Sequence, residues 1–117
     1  MTTAPASRFG FGDVVLVPFP FTDQAGSEKR PAVVVSSRAY NSNRRDLVVM
    51  AVSSQVRQPL AFGEALVSDW QAAGLIQMSV FKPVFTTIEQ GLVIRTLGSP
   101  PDAGLATLGE VIGQAIG

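Results

Sequence analysis

The chain has 117 residues, 46% of them hydrophobic and only 15% charged, with nine Lys/Arg balanced by nine Asp/Glu. This size and apolar content fit one domain, residues 1–117, with a modest core, and exclude a disordered chain. Zero net charge argues against a general nucleic-acid coating protein, and the lack of Cys and His excludes structural zinc, iron–sulfur and Ser–His or Cys–His chemistry.

Residues 1–9 read as a loose arm of small and polar residues. Asp13 to Phe19 is a first strand; its unbroken hydrophobicity predicts burial on both faces, and Pro18 and Pro20 confine its end to an edge or exit. Residues 20–29 form a loop containing Gly26. Pro31 to Ser37 is a second strand, opened by its proline, and Asn41 to Arg45 is a turn. Asp46 to Ser53 is a third strand, rich in Val. Phe62 to Val67 is a short fourth strand. Ser68 reads as the N-cap of a brief helix, Asp69 to Ala73, closed by Gly74 at C′.

Residues 78–88 and 91–97 are two further strands about a turn at Glu89-Gln90-Gly91. Ser99-Pro100-Pro101-Asp102 reads as a helix start, with Ser99 as its cap. Leu105, Leu108, Ile112, Ala115 and Ile116 fall near one face of the final helix. Gly104, Gly109 and Gly113 each weaken that helix by about 1 kcal/mol and are read as permitting close packing against the sheet. Phe19, Phe21, Phe81 and Phe85 read as core, and Trp70 as a packing anchor rather than a base-stacking platform. Six short strands and a closing helix imply a mainly β (β-rich α+β) fold, as a small barrel or strongly bent antiparallel sheet. No apolar run reaches membrane-spanning length, and MTTAPASR lacks a signal-peptide core, so a soluble cytoplasmic protein without a membrane partner is expected.

Charge is unevenly distributed. Residues 1–57 carry seven Lys/Arg against four acids, net +3, and residues 58–117 two against five, net −3. The basic half holds the most informative segment, GDVVLVPFPFTDQAGSEKRPAVVVSS at 12–37. Two apolar runs flank a flexible loop, and Arg30 sits where the loop enters the second run. A guanidinium there suits a phosphate, because it offers parallel donors and keeps its charge. Metal-free RNA cleavage needs such a group to stabilise a phosphorane formed by attack of the 2′-OH. Ser53-Ser54-Gln55 ends the third strand, where hydroxyls can donate to a phosphate oxygen. Taken singly, Arg30 reads better as a surface Arg beside a proline, and Ser53 as a polar strand end. Their order along the chain is what draws them together. Arg44-Arg45 reads as a solvated turn, and Glu64, Asp69 and Glu89 show no metal-ligand spacing. No metal or other cofactor is expected.

The chain resembles MazF/PemK-type toxins. Gly12-Asp13 through Phe21-Thr22 is similar to the family's opening strand. Arg30-Pro31-Ala32-Val33-Val34-Val35-Ser36 resembles its RPAVVLS-type signature, Tyr40-Asn41 its following YN, and Val52-Ser53-Ser54-Gln55 its third-strand end. Ser68-Asp69-Trp70, Ala73-Gly74-Leu75 and Leu92 to Gly98 fit a subgroup with a helix after the fourth strand. The resemblance implies an SH3-like barrel with added helices and a homodimer that cuts single-stranded RNA without metal. It also implies an acidic cognate antitoxin lying across the basic region around Arg30, Arg38 and Arg57. Arg30 and Ser53 fall on the family's active pair, with Ser in place of the commoner Thr. Lys29, Ser54, Gln55, Ser79 and Lys82 are the expected substrate contacts, Lys82 reading equally as an ordinary exposed Lys. Ser79 stands where several members carry an acid, which leaves the general base unassigned. The alternative is a non-catalytic relative on the same barrel, such as a CcdB-like gyrase poison or an inactive regulator.

Overall fold

The computed structural model describes residues 7–19 and 28–117. The arm before residue 7 and the loop at 20–27, with Phe21, lie outside the described residues. The strands are β1 (Val14–Phe19), β2 (Glu28–Val34), β3 (Asp46–Ser53), β4 (Ala65–Leu66), β5 (Val80–Glu89) and β6 (Arg95–Gly98). Two helices accompany them, α1 (Arg38–Asn43) and α2 (Asp102–Ile116). The strands form one sheet in the order β4-β5-β3-β2-β1-β6, with antiparallel neighbours. β4 and β6 are its edges, so of the two forms anticipated the open sheet is the one adopted. Register shifts at Val14/Val15 and at Met50/Val52 bend and twist it.

Side chains alternate between two cores. Val15, Val17, Phe19, Ala32, Val34, Leu47, Val49 and Ala51 bury one face together with Phe9 and Ile88. Val14, Val33, Met50, Val52 and Phe81 bury the other, against Val67, Ala73, Leu75 and the α2 residues Leu108 and Val111. β1 is buried along one face at Val15, Val17 and Phe19, but on the other only at Val14, with Leu16 and Pro18 partly covered, so the burial on both faces predicted from its unbroken apolar run holds only in part. Trp70 is half-buried against the second core, the packing role expected. Phe19 and Phe81 are core, whereas Phe85 is only partly buried.

Several local expectations need correction. The turn expected at Asn41 to Arg45 belongs largely to α1, which Ser37 starts by accepting a hydrogen bond from the Tyr40 amide on its Oγ. Within α1 the buried Asn41 donates to the carbonyl of Phe9 (3.0 Å) and accepts from the Ser36 hydroxyl. Tyr40 donates to Asp46 Oδ2 (2.7 Å), and Arg44 Nε donates to Asp46 Oδ1 (2.9 Å). The Tyr40-Asn41 pair thus ties α1 to the sheet. The Tyr40 bond, then the Arg44 bond, holds the Asp46 carboxyl below its usual range.

The brief helix expected at Asp69 to Ala73 is a single hydrogen-bonded turn. Asp69, not Ser68, caps it, accepting from the Ala72 amide. Gly74 does take the C′ position, at φ +83. Leu75 N–H bonds Trp70 O and Gly74 N–H bonds Gln71 O, the pair of bonds of a Schellman stop. At α2 the N-cap is Pro101 rather than Ser99, with no side-chain cap bond. Its buried residues are Gly104, Leu108 and Val111, while Ala115 and Ile116 are exposed. Only Gly104 packs closely, against Pro100; Gly109 and Gly113 have open space around them. Among the described residues no helix is long and apolar enough to cross a membrane.

Candidate active site

Pro31 shapes the site. β2 lies between β1 and β3, where a residue lacking an N–H interrupts a ladder. β2 pairs with β1 from Glu28 to Val33, but with β3 only from Ala32 to Val34. Arg30 and Pro31 therefore run beside the end of β3 without a ladder, and Glu28 and Lys29 extend past it. A cavity of about 540 Å³ opens at this split. β2 also begins earlier than the sequence implies, so Arg30 lies inside the strand and not at its entry.

Arg30 and Ser53 each lie two residues beyond the last β2–β3 pair, Ala32↔Ala51. With a side-chain period of two, both share the face of that pair and flank the split from opposite strands. All the candidates from the sequence line the cavity: Lys29, Arg30, Ser53, Ser54, Gln55, Ser79 and Lys82. Arg38 and Arg57 do not line it; Arg38 sits on α1 and donates to the Ser7 carbonyl.

The partners of these groups differ. Arg30, whose side chain is 40% exposed, is ion-paired with Glu28 two residues earlier on the same strand. Ser53 Oγ accepts from the Gln55 amide (3.1 Å), which leaves its own proton for an acceptor in the cavity. Lys82 Nζ stands 3.9 Å from Glu64 Oε2. Ser79 is 3% exposed and donates to the Gln77 carbonyl (3.0 Å), so its hydroxyl shapes the wall. Lys29, Ser54 and Gln55 are exposed.

Sequence reasoning missed three contributors. Glu28, the counter-ion of Arg30, was taken as loop. Arg95 on β6 lines the cavity; no local pattern foretells that β6 returns beside β1. The segment Gly74 to Gln77 makes a wall because its Schellman stop turns the chain there. Among the described residues the lining holds Lys29, Arg30, Lys82 and Arg95 and no carboxylate. An anionic, extended ligand fits such a cavity.

The protein is thus a small open β-sheet that carries a cation-lined cavity. The model of the PemK-like, MazF-like toxins of type II toxin–antitoxin systems matches residues 11–115. The chain belongs to that family. Among solved structures it is similar to a mycobacterial endoribonuclease in complex with its cognate antitoxin (TM-score 0.72, 17% identity, covering 92% of this chain and 93% of that one). It is also similar to the Mycobacterium tuberculosis toxin MazF-mt6 (0.71, 20%, 88% and 94%). A MazE–MazF complex from Deinococcus radiodurans aligns at TM-score 0.63 and 25% identity, covering 91% of each chain. No curated protein sequence matches the chain.

Proposed function

We propose that this toxin is a sequence-selective endoribonuclease that cuts single-stranded RNA, such as mRNA, without a metal ion. The observation that carries the reading is the meeting of Arg30 and Ser53 at the split between β2 and β3, in a cavity with cations and no carboxylate in its lining. The 2′-OH attacks the adjacent phosphorus in line, the 5′-oxygen leaves, and a 2′,3′-cyclic phosphate remains. The protein's task is mainly electrostatic. Arg30 presents parallel donors to the two non-bridging oxygens, whose charge grows toward the phosphorane. Ser53 adds a hydroxyl donor from the facing strand.

Such a toxin works in the cytoplasm as a homodimer held in check by an acidic antitoxin. Exposed apolar side chains, including Phe62, Ile76, Leu92 and Ile116, leave surface for association. An acidic segment laid across the cavity would compete with RNA for the same cations. The test is incubation of the pure protein with mixed RNA and EDTA, followed by mapping of the ends. Cleavage with 2′,3′-cyclic phosphate ends is expected, blocked by a 2′-deoxy nucleotide at the scissile position. Activity only with added Mg²⁺ refutes the mechanism, and intact RNA under all conditions favours the non-catalytic alternative. Light scattering should give ~24 kDa, twice the 12.3 kDa chain.

A further inference from the structure

Building on the ribonuclease reading above, we infer that Lys29 and Arg95 together grip one further phosphate of the RNA, on the face of the sheet opposite Arg30 and Ser53. The register separates the two pairs. Arg30 pairs with Val17, and Ser53 follows Ala51 by two residues, so both belong to the face of the first core. Lys29 pairs with Pro18, and Leu16 pairs with Pro31 on one side and with Arg95 on the other. Side chains alternate along a strand, and the Val14↔Val33 pair puts this second set on the face of the other core. Lys29 and Arg95 thus share a face, two strand spacings across and two residues along, about 12 Å between Cα atoms. Two long side chains leaning toward each other from that distance can meet on one anion. The β2–β3 ladder is missing at this end, so the cavity reaches both faces, and all four residues line it.

Charge and rigidity point the same way. Of the cations in the lining, Arg30 has Glu28 and Lys82 has Glu64. Lys29 and Arg95 are exposed and have no carboxylate at ion-pair distance among the described residues. Two like charges on one face raise the local potential, and an anion held between them relieves their repulsion. Leu16, Pro31 and Leu97 make the neighbouring lining apolar, and a medium of low dielectric strengthens the attraction. Arg95 is presented from a fixed strand. Leu97, two residues on, packs against the second core. A Cβ on Gly74 would lie 2.0 Å from the Leu97 carbonyl oxygen, so the wall segment and β6 touch backbone to backbone. No aromatic side chain lines the cavity among the described residues, so a phosphate suits the pair better than a stacked base.

The experiment uses the full-length protein and an RNA oligonucleotide made uncleavable by a 2′-deoxy nucleotide at the scissile position, with binding read by fluorescence anisotropy. Lys29→Ala and Arg95→Ala should each lower affinity by about ten- to a hundredfold, the loss of one charge-assisted contact. Both positions are exposed, so thermal midpoints should stay close to wild type. The double variant should lose clearly less than the product of the two single losses, because the partners of one phosphate are not independent. Arg95→Ala combined with Arg30→Ala should instead show the full product. The slope of log affinity against log salt should flatten by about 0.7 in the Lys29/Arg95 double variant, one single-strand phosphate contact. A neutral methylphosphonate, placed at one linkage at a time, should weaken wild type at a single linkage other than the scissile one and leave the double variant no weaker there. Wild-type affinity in either single variant overturns the inference. So do single losses that multiply with a slope change of about 1.4, since the two cations would then hold separate phosphates. It is equally overturned if Arg95→Lys binds as poorly as Arg95→Ala and changes the sequence preference, since Arg95 would then read a base. A wild type that binds unmodified RNA and leaves it uncut refutes the ribonuclease reading alone; the binding arms, run on that RNA, still decide for or against the pair.

Discussion

Glu28→Gln separates the counter-ion of Arg30 from the chemistry of Arg30. The two side chains pair on one strand with 52% and 40% of their surface exposed, Glu28 first. An ion pair that open is worth about 0.2–1 kcal/mol. RNA must compete with Glu28 for the guanidinium, so deleting the carboxylate charge should tighten binding by no more than about fivefold. The change lies on the surface, and stability should move by less than about 0.5 kcal/mol. Binding is read by fluorescence anisotropy on an oligonucleotide made uncleavable by a 2′-deoxy nucleotide. Turnover is read separately under single-turnover conditions. The expected outcome is tighter binding, most evident at low salt, with the chemical step unchanged. General-base catalysis typically contributes about 10²–10⁴ in rate. A loss of turnover on that scale in Glu28→Gln would refute the counter-ion argument and place the carboxylate in proton transfer. Weaker binding would refute it differently, by showing that Glu28 orients Arg30 for the phosphate.

Arg30→Ala should lower turnover by roughly 10²–10³, the cost of losing one oxyanion donor, with its thermal midpoint nearly unchanged; Arg30→Lys should also be poor because an ammonium lacks the fork. Ser53→Ala should lose activity on that scale or somewhat less and Ser53→Thr should keep most of it, so full activity in Arg30→Ala or Ser53→Ala removes that residue from the site. Asp46 is held below its ordinary value of 3.8 by Tyr40 and Arg44, so its contribution to stability is present above the unfolded pKa and lost as pH falls through the lower folded value. Denaturation of wild type and Asp46→Asn should therefore differ constantly from pH 5 to 8 and converge below about pH 4; a gap that persists at pH 2 would count against the Tyr40–Asp46–Arg44 account. Gly74→Ala meets both a positive φ and the Leu97 carbonyl, and should cost roughly 2–4 kcal/mol, seen as a midpoint lower by about 8 °C or more.

What could be read from the sequence follows from the range of the forces involved. β3 was legible to the residue because a Val-rich run ends in polar groups on both sides. Gly74 was legible as a helix stop because only a left-handed position explains it there. The joint placement of Arg30 and Ser53 followed from chain order: two strands that pair antiparallel bring the start of one to the end of the other. α1 was missed because six residues, RAYNSN, have no apolar period; Ser37 was its one local signal. Arg95 was missed for a different reason. Its place in the cavity depends on Leu16↔Arg95 pairing, a long-range register that the pattern of GLVIRTL cannot encode. The face of α2 slipped by one position, since Val111 and not Ile112 is fully buried, and the glycines at 104 and 109 blur the apolar stripe from which a face is read.

A protein with zero net charge can hold a polyanion when its charges are sorted in space. Here the sorting starts with Pro31. It stops the β2–β3 ladder, and the opened split takes its lining from strand ends and edge strand, which are the places a buried sheet leaves for polar side chains. Lys29 and Arg30 come from β2 at the split, Lys82 from β5 beyond β3, and Arg95 from β6 beyond β1. The acids lie elsewhere: Asp46 is held by Tyr40 and Arg44, Asp13 accepts from the Gly10 amide, and Asp102 begins α2. Glu28 and Glu64 approach the cavity only as partners of Arg30 and Lys82. Leu16, Val52 and Leu97 give the cavity an apolar floor, which cannot screen cations as water does. Local potential at the cavity, and not the charge of the whole chain, is what an approaching phosphate meets.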